Sequence, residues 1–264
     1  MRVKRETINL YLELLKKTIL FEIWGKNEIY SPTGLPIPPV LNEFLKSHNW
    51  PTVAHSMIGR PRMNQLHEAM ETVIKEKVEG DFIETGVWRG GSCIFMRGFL
   101  KAYNIHNRKV WVADSFKGLP APNAEKYPHD KNDTLYTSDY LRVSLEQVQQ
   151  NFRKYDLLDD QVEFLEGWFK DTLPSAPIGK IAIARLDGDL YESTMDSLTS
   201  LYHKVSPGGF IIIDDYELPT CKPAVHDFRQ QNTINEPLVR IDPHSVYWRK
   251  PKNQIISKLN RIGI

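Results

Sequence analysis

Gly80-Asp81-Phe82-Ile83-Glu84-Thr85-Gly86-Val87-Trp88-Arg89-Gly90-Gly91-Ser92 is the stretch that decides the fold. A short apolar run ends in a carboxylate, turns through glycine and leads into a helical segment. Three further runs end in acids: Val110-Trp111-Val112-Ala113-Asp114, Ile181-Ala182-Ile183-Ala184-Arg185-Leu186-Asp187-Gly188-Asp189 and Gly209-Phe210-Ile211-Ile212-Ile213-Asp214-Asp215. Such runs are expected of an open parallel sheet whose C-terminal edge forms a ligand crevice. The first two ends suit a nucleoside ligand, and the last two suit a divalent metal beside it.

Working outward, helices are expected over 92–103, 144–157, 193–204 and near 222–231, with strands over 109–113, 161–165, 180–186 and 209–213. This alternation predicts an α/β fold, a doubly wound, mostly parallel, Rossmann-like sheet with helices on both faces. Ser144 and Gln147 form a capping box, and Ser206-Pro207-Gly208-Gly209 reads as a stop between helix and strand. A last strand is expected around Ser245-Val246-Tyr247-Trp248. Upstream, Ile8, Leu12, Leu15 and Ile19 make an amphipathic helix of residues 6–24, and Leu66, Met70, Val73 and Ile74 mark a second over 64–78.

Residues 1–62 are therefore expected to form an N-terminal helical cover that bears on a dimer interface or the substrate, with Leu41, Phe44, Leu45, Trp50 and Met57 offering burial in its proline-rich part. Residues 63–250 form the main domain, and 251–264 a tail. Residues 119–141 are polar, charged and long for a βα connection, which predicts a lid over the crevice, with a decorative insertion as the alternative.

Hydrophobic residues make up 41% and charged residues 25% of 264 residues, as in soluble globular domains. A net charge of +1 gives no overall field for nucleic acid or an anionic membrane. No apolar run reaches the ~18 residues of a spanning helix, and Glu6, Glu13, Lys16 and Lys17 interrupt any leader-like run after Met1-Arg2-Val3-Lys4-Arg5. A cytoplasmic protein without nucleic-acid or membrane partners is expected. Cys93 and Cys221 are too few for a disulfide framework and are expected as packed thiols. His55, His67, His203, His226 and His244 lack any catalytic or metal spacing and are read as surface or packed histidines.

Gly86, Gly90 and Gly91 do not have the spacing of the dinucleotide fingerprint, which argues against an NAD-dependent oxidoreductase. They suit a nucleoside with an amino-acid tail, whose ammonium Glu84 could receive. Asp114 can accept both ribose hydroxyls, and helix capping is its structural alternative. Trp88 and Trp168 fall at strand exits, where a ring could stack on adenine or serve the core. Asp187, Asp189, Asp214 and Asp215 would repel one another unless a hard cation such as Mg²⁺ intervened. No histidine or cysteine lies within those motifs, which argues against zinc.

The quoted runs, with Asp114-Ser115-Phe116-Lys117-Gly118-Leu119-Pro120, Leu186-Asp187-Gly188-Asp189-Leu190-Tyr191-Glu192-Ser193-Thr194, Ile213-Asp214-Asp215-Tyr216 and the upstream Met57-Ile58-Gly59-Arg60-Pro61-Arg62-Met63, resemble the macrocin O-methyltransferase family. That resemblance implies a class I methyltransferase that uses S-adenosylmethionine and Mg²⁺ to methylate a hydroxyl of an antibiotic deoxysugar. It implies that Glu84, Gly86 and Ser92 hold the amino-acid end of the cofactor and Asp114 the ribose, with Met57, Thr85, Trp88, Arg89, Gly90, Ser115 and Trp168 around it. Asp187, Asp214 and Asp215 would ligate the metal, and one carboxylate of the Asp187/Asp189 pair would be the general base. Local order favours Asp187 as the ligand and leaves Asp189 free as the base, without separating the two roles. A glycoside or sugar acceptor and a homo-oligomer, a dimer, complete the expectation. A catechol-like or other vicinal-diol acceptor, or a non-catalytic nucleoside-binding subunit, are the competing readings.

Overall fold

In the computed structural model, which describes residues 2–24 and 50–252, the acid-ended runs are neighbouring strands of one sheet. β1 (Asp81–Thr85), β2 (Val110–Asp114), β3 (Val162–Glu166), β4 (Ile181–Leu186), β5 (Val205–Ile213), β6 (Val239–Arg240) and β7 (Val246–Arg249) lie in the order β3-β2-β1-β4-β5-β7-β6. The first five are parallel, whereas β7 runs antiparallel to β5 and β6 to β7. The chain winds outward from β1 to β3 and then returns to place β4 beside β1. That reversal opens a crevice at the carboxyl ends of β1 and β4, which is where an α/β sheet binds its ligand.

The helices are α1 (Arg2–Ile19), α2 (Gly59–Lys75), α3 (Gly91–Ala102), α4 (Leu145–Lys154), α5 (Phe169–Thr172), α6 (Tyr191–Leu201) and α7 (Cys221–Gln231). Alternate strand residues face opposite layers. Phe82, Val110, Val112, Phe210 and Ile212 pack with residues of α1, α2, α3 and α4. Ile83, Trp111, Ala113, Ile211 and Ile213 pack with residues of α6 and α7. Helix α1 lies close on α3 because Gly98 has no side chain, and a Cβ there would stand 2.4 Å from Leu15.

The sheet and both helical layers match the expectation, with several boundaries moved. α1 ends at Ile19 rather than at 24, and Phe21 has turned to φ +61°. α2 begins at Gly59 rather than 64, with Pro61 in the first turn, where its missing N–H costs nothing. Ser206-Pro207-Gly208-Gly209 is not a stop but lies within β5: Val205 pairs with Ile181 and Phe210 with Ile183, so the intervening residues bulge. The helix read over 193–204 is α6 followed by a 3₁₀ turn at Tyr202–Lys204. β6 and α5 are too short to register as periodic segments. Ser144 does cap α4, accepting from Gln147 N at 3.2 Å. Both cysteines are buried free thiols.

Residues 119–141 carry three 3₁₀ turns, Pro128–Asp130, Leu135–Thr137 and Asp139–Leu141. The anticipated burial of Leu41, Phe44 and Leu45, and all of the tail beyond 252, lie outside the described residues. Among the described residues, no helix is long and apolar enough to cross a membrane.

Candidate active site

The turn after β1 is built by backbone demands. Gly86 has φ +80°, and a Cβ there would stand 1.7 Å from the Asp187 carbonyl oxygen, so only glycine lets β1 and β4 end side by side. Trp88 also takes a positive φ of +47°. Its ring lies under the Arg89 guanidinium, at 4.1 Å, and beside Tyr140, at 5.4 Å. Trp88 Nε1 donates to the Tyr140 carbonyl at 3.1 Å. Trp50 stacks on the same Tyr140, so the aromatic set joins three separate segments.

Asp114 ends β2 with its carboxylate held by the chain itself. Val87 N donates to Oδ2 at 2.8 Å and Phe116 N to Oδ1 at 2.7 Å. Burial raises its pKa, and these backbone bonds oppose the rise. The helix-capping alternative is thus replaced by a loop-bracing role that still leaves Asp114 on the cavity wall.

Beneath the crevice, Arg185 of β4 is fully buried and donates to Glu84, Asp187 and Asp214, with 2.9 Å to Asp187 Oδ2. Glu84 and Arg185 are register partners on adjacent strands, which explains the contact. Burial pushes Glu84 up to about 7 against the pull of Arg185. Asp214 rises to about 6 through burial, with Arg185 and Arg62 opposing. Asp215 and Asp189 are raised well above the usual range by burial and then by the neighbouring carboxylates. Arg62 bridges Asp214 and Asp242, at 2.6 Å to each.

Asp187, Asp214 and Asp215 each present a carboxylate oxygen within 4.8 Å of the others, and Asp189 is not part of that triad. Asp215 Oδ2 is buried without a hydrogen-bond partner. An all-oxygen, anionic, partly unsatisfied donor set fits a hard divalent cation.

A cavity of about 680 Å³ covers this floor. It gathers Met57, Gly86, Trp88, Asp114, Ser115 and Trp168 with Asp187, Asp189, Asp214 and Asp215. Among the described residues Trp168 has no ring partner, unlike Trp88. Glu84, Thr85, Arg89, Gly90 and Ser92 do not line the cavity. Glu84 sits a layer behind it, taking hydrogen bonds from Cys93 and Ser92 as well as Arg185. Thr85 meets Ser197, and Gly90 precedes α3 in a left-handed conformation. The Arg89 guanidinium is spent on the Thr52 and Ala54 carbonyls, at 3.1 and 2.9 Å, and holds residues 52–54 over the turn.

Trp50 lies on the cavity wall, within the 10–50 stretch expected to shape the acceptor pocket, whereas sequence reasoning did not place Arg62, Glu192, Asp196 or His244 there. Arg62 lies inside the quoted upstream run, so its signal was present. His244 comes from the turn before β7 and has no local signature.

A family profile described as Macrocin-O-methyltransferase (TylF) matches residues 40–250. The chain belongs to that family. Mycinamicin III 3''-O-methyltransferase of Micromonospora griseorubida is 47% identical over 252 residues, 92% of this chain and 97% of that one. The 8-demethyl-8-(2,3-dimethoxy-alpha-L-rhamnosyl)-tetracenomycin-C 4'-O-methyltransferase of Streptomyces olivaceus is 48% identical over 247 residues, 91% of this chain and 92% of that one. The solved structure of the O-methyltransferase NovP is similar with a TM-score of 0.83 and 46% identity, covering 92% of this chain and 99% of that one. This member of the macrocin O-methyltransferase family is thus an O-methyltransferase, and its class I fold implies S-adenosylmethionine as methyl donor.

Proposed function

We propose that this chain transfers a methyl group from S-adenosylmethionine to a hydroxyl of a deoxysugar borne by a natural product, with Mg²⁺ at Asp187, Asp214 and Asp215. The observation that carries the reading is the convergence of those three carboxylates on the floor of the cavity that also holds Gly86 and Asp114. The sugar follows from the relatives, one of which is named for a rhamnosyl 4'-position.

Met57, Gly86, Asp114, Ser115 and Trp168 would hold the methyl donor, with Trp88 at the edge of that pocket. Glu84, Thr85, Arg89, Gly90 and Ser92 would support it from behind. A sugar hydroxyl is a poor nucleophile at neutral pH, so the chain must orient it and take its proton. Asp189 lies in the cavity wall outside the triad and is the assigned base. When bound, Mg²⁺ would lower the pKa of a coordinated hydroxyl and hold neighbouring hydroxyls in place. Residues 63–250 form the catalytic domain in this reading, with 1–62 covering it and bearing on a homodimer contact, 119–141 as a lid and 251–264 as a tail. A cytoplasmic location belongs to the same reading.

Calorimetric titration of S-adenosylhomocysteine, then of Mg²⁺ into the binary complex, tests it. Both should bind, and the Mg²⁺ site should vanish in Asp215→Asn while S-adenosylhomocysteine still binds. Methylation of demethylated glycosides but not of catechols should follow. Transfer to catechols alone would replace the acceptor assignment, and full activity of Asp215→Asn with the metal chelated would remove the cation from the mechanism.

A further inference from the structure

Asp130 is 0% exposed, although it sits in the otherwise polar 119–141 segment, whose other residues are all exposed or half-buried. Both of its oxygens are used on a distant element. Tyr191 N donates to Oδ1 at 2.7 Å and Glu192 N to Oδ2 at 3.1 Å. These are the first two amides of α6, which have no partner within the helix and need an acceptor. Leu190, at the capping position, supplies no side-chain acceptor, so the cap comes from 61 residues away.

The same junction is gripped through Tyr191. His129 stacks on its ring at 5.2 Å and 17°, and Tyr127 lies at 5.9 Å. Its hydroxyl donates to Asp227 of α7 at 2.8 Å. Two residues before Tyr191 stands Asp189, with φ +55° and its carbonyl accepting from Thr220 Oγ1 at 2.6 Å. Leu135, five residues after Asp130, lines the cavity, as do Glu192 and Asp196 of α6. The inserted segment and the carboxylate loop therefore share one anchored joint.

We propose that Asp130 is a positioning residue that couples the 119–141 segment to the Asp187-Gly188-Asp189 loop, so that the acceptor-side wall and the placement of Asp189 are set together. The segment is then not a free flap but a strap pinned at its middle by Asp130 and toward its C-terminal end by Tyr140. The catalytic consequence rests on the assignment of Asp189 as base, whereas the coupling itself does not.

Hydrogen exchange on the full chain with S-adenosylhomocysteine bound tests the coupling. In Asp130→Ala, amides of 187–193 and of 119–141 should both exchange at least tenfold faster, while β1 and β2 keep their protection. Asp130→Asn, which retains one acceptor oxygen, should fall between, and it carries the test if Asp130→Ala fails to fold. Acceleration confined to 119–141, or none at all, overturns the proposal. With an acceptor that the native enzyme methylates, kcat should fall at least tenfold at unchanged KM for S-adenosylmethionine, a split that mere loss of folded protein would also show only in apparent kcat, so rates are taken per cofactor-binding site. Native kcat beside accelerated exchange at 187–193 would overturn the positioning role. Absence of methylation by the native protein would instead sink the functional reading and leave the exchange result to stand.

Discussion

Arg97 and Arg185 are both buried guanidiniums bonded to carboxylates, one at the rim of the helical layer and one under the crevice. Among the described residues Arg97 pairs with Asp159, through paired bonds of 2.8 and 2.6 Å, and the charges cancel, although its Nη1 is left without a partner. Arg185 meets Glu84, Asp187 and Asp214, with Asp189 and Asp215 close beyond. Even with Arg62 on Asp214, acids outnumber cations there. A balanced buried pair holds structure together, whereas an unbalanced one stores a demand for a cation that folding alone does not meet. In the proposed reading, a bound cation would meet the excess of acids in the crevice.

The largest effect is expected from Asp215→Asn, which removes a triad member: methyl transfer should fall by about 10³-fold or more in an acceptor assay. The cation-free protein should meanwhile gain a few degrees in thermal midpoint, because one like charge is gone. A loss of stability would show that the cluster is not under repulsion. Arg185→Met should cost about 4 kcal/mol in denaturant unfolding, since three carboxylates lose their shared partner. Added Mg²⁺ should restore more stability to this variant than to the native chain.

Asp159→Ala strands Arg97, and about 2 kcal/mol of stability should go, given that Asp159 is partly exposed. Calorimetry should find S-adenosylhomocysteine binding unchanged, in contrast to the crevice variants' loss of the cation site. The smallest effect separates a half-buried neutral group from both ion pairs. His55 Nδ1 meets Tyr155 Oη at 2.7 Å, and burial, with Lys154 and Arg89 nearby, lowers the imidazole from 6.5 to about 4. The unfolded chain takes up this proton first, so the contribution is present above pH 6.5 and is lost as pH falls toward 4. About 1–2 kcal/mol should disappear over that window, and His55→Asn should flatten the profile.

The strand-end acids were readable because each signal is local: an apolar run, a glycine turn, a carboxylate. Locality does not show what else Glu84, at the end of β1, meets. Its register partner Arg185 turns it into a buried support, and that pairing spans 101 residues. The same holds for Arg89, since only the path of residues 52–54 shows what its guanidinium holds.

What the sequence alone determined is the alternation of strands and helices, the crevice and the acids that border it, because periodicity and turn chemistry are written in neighbouring residues. Only the tertiary structure decided how near the three carboxylates of the expected triad come to one another, that Arg185 lies beneath them, and that Asp130 caps α6. Those outcomes depend on strand order, register and the path of the 119–141 segment, which bring together side chains whose separation along the chain carries no local pattern.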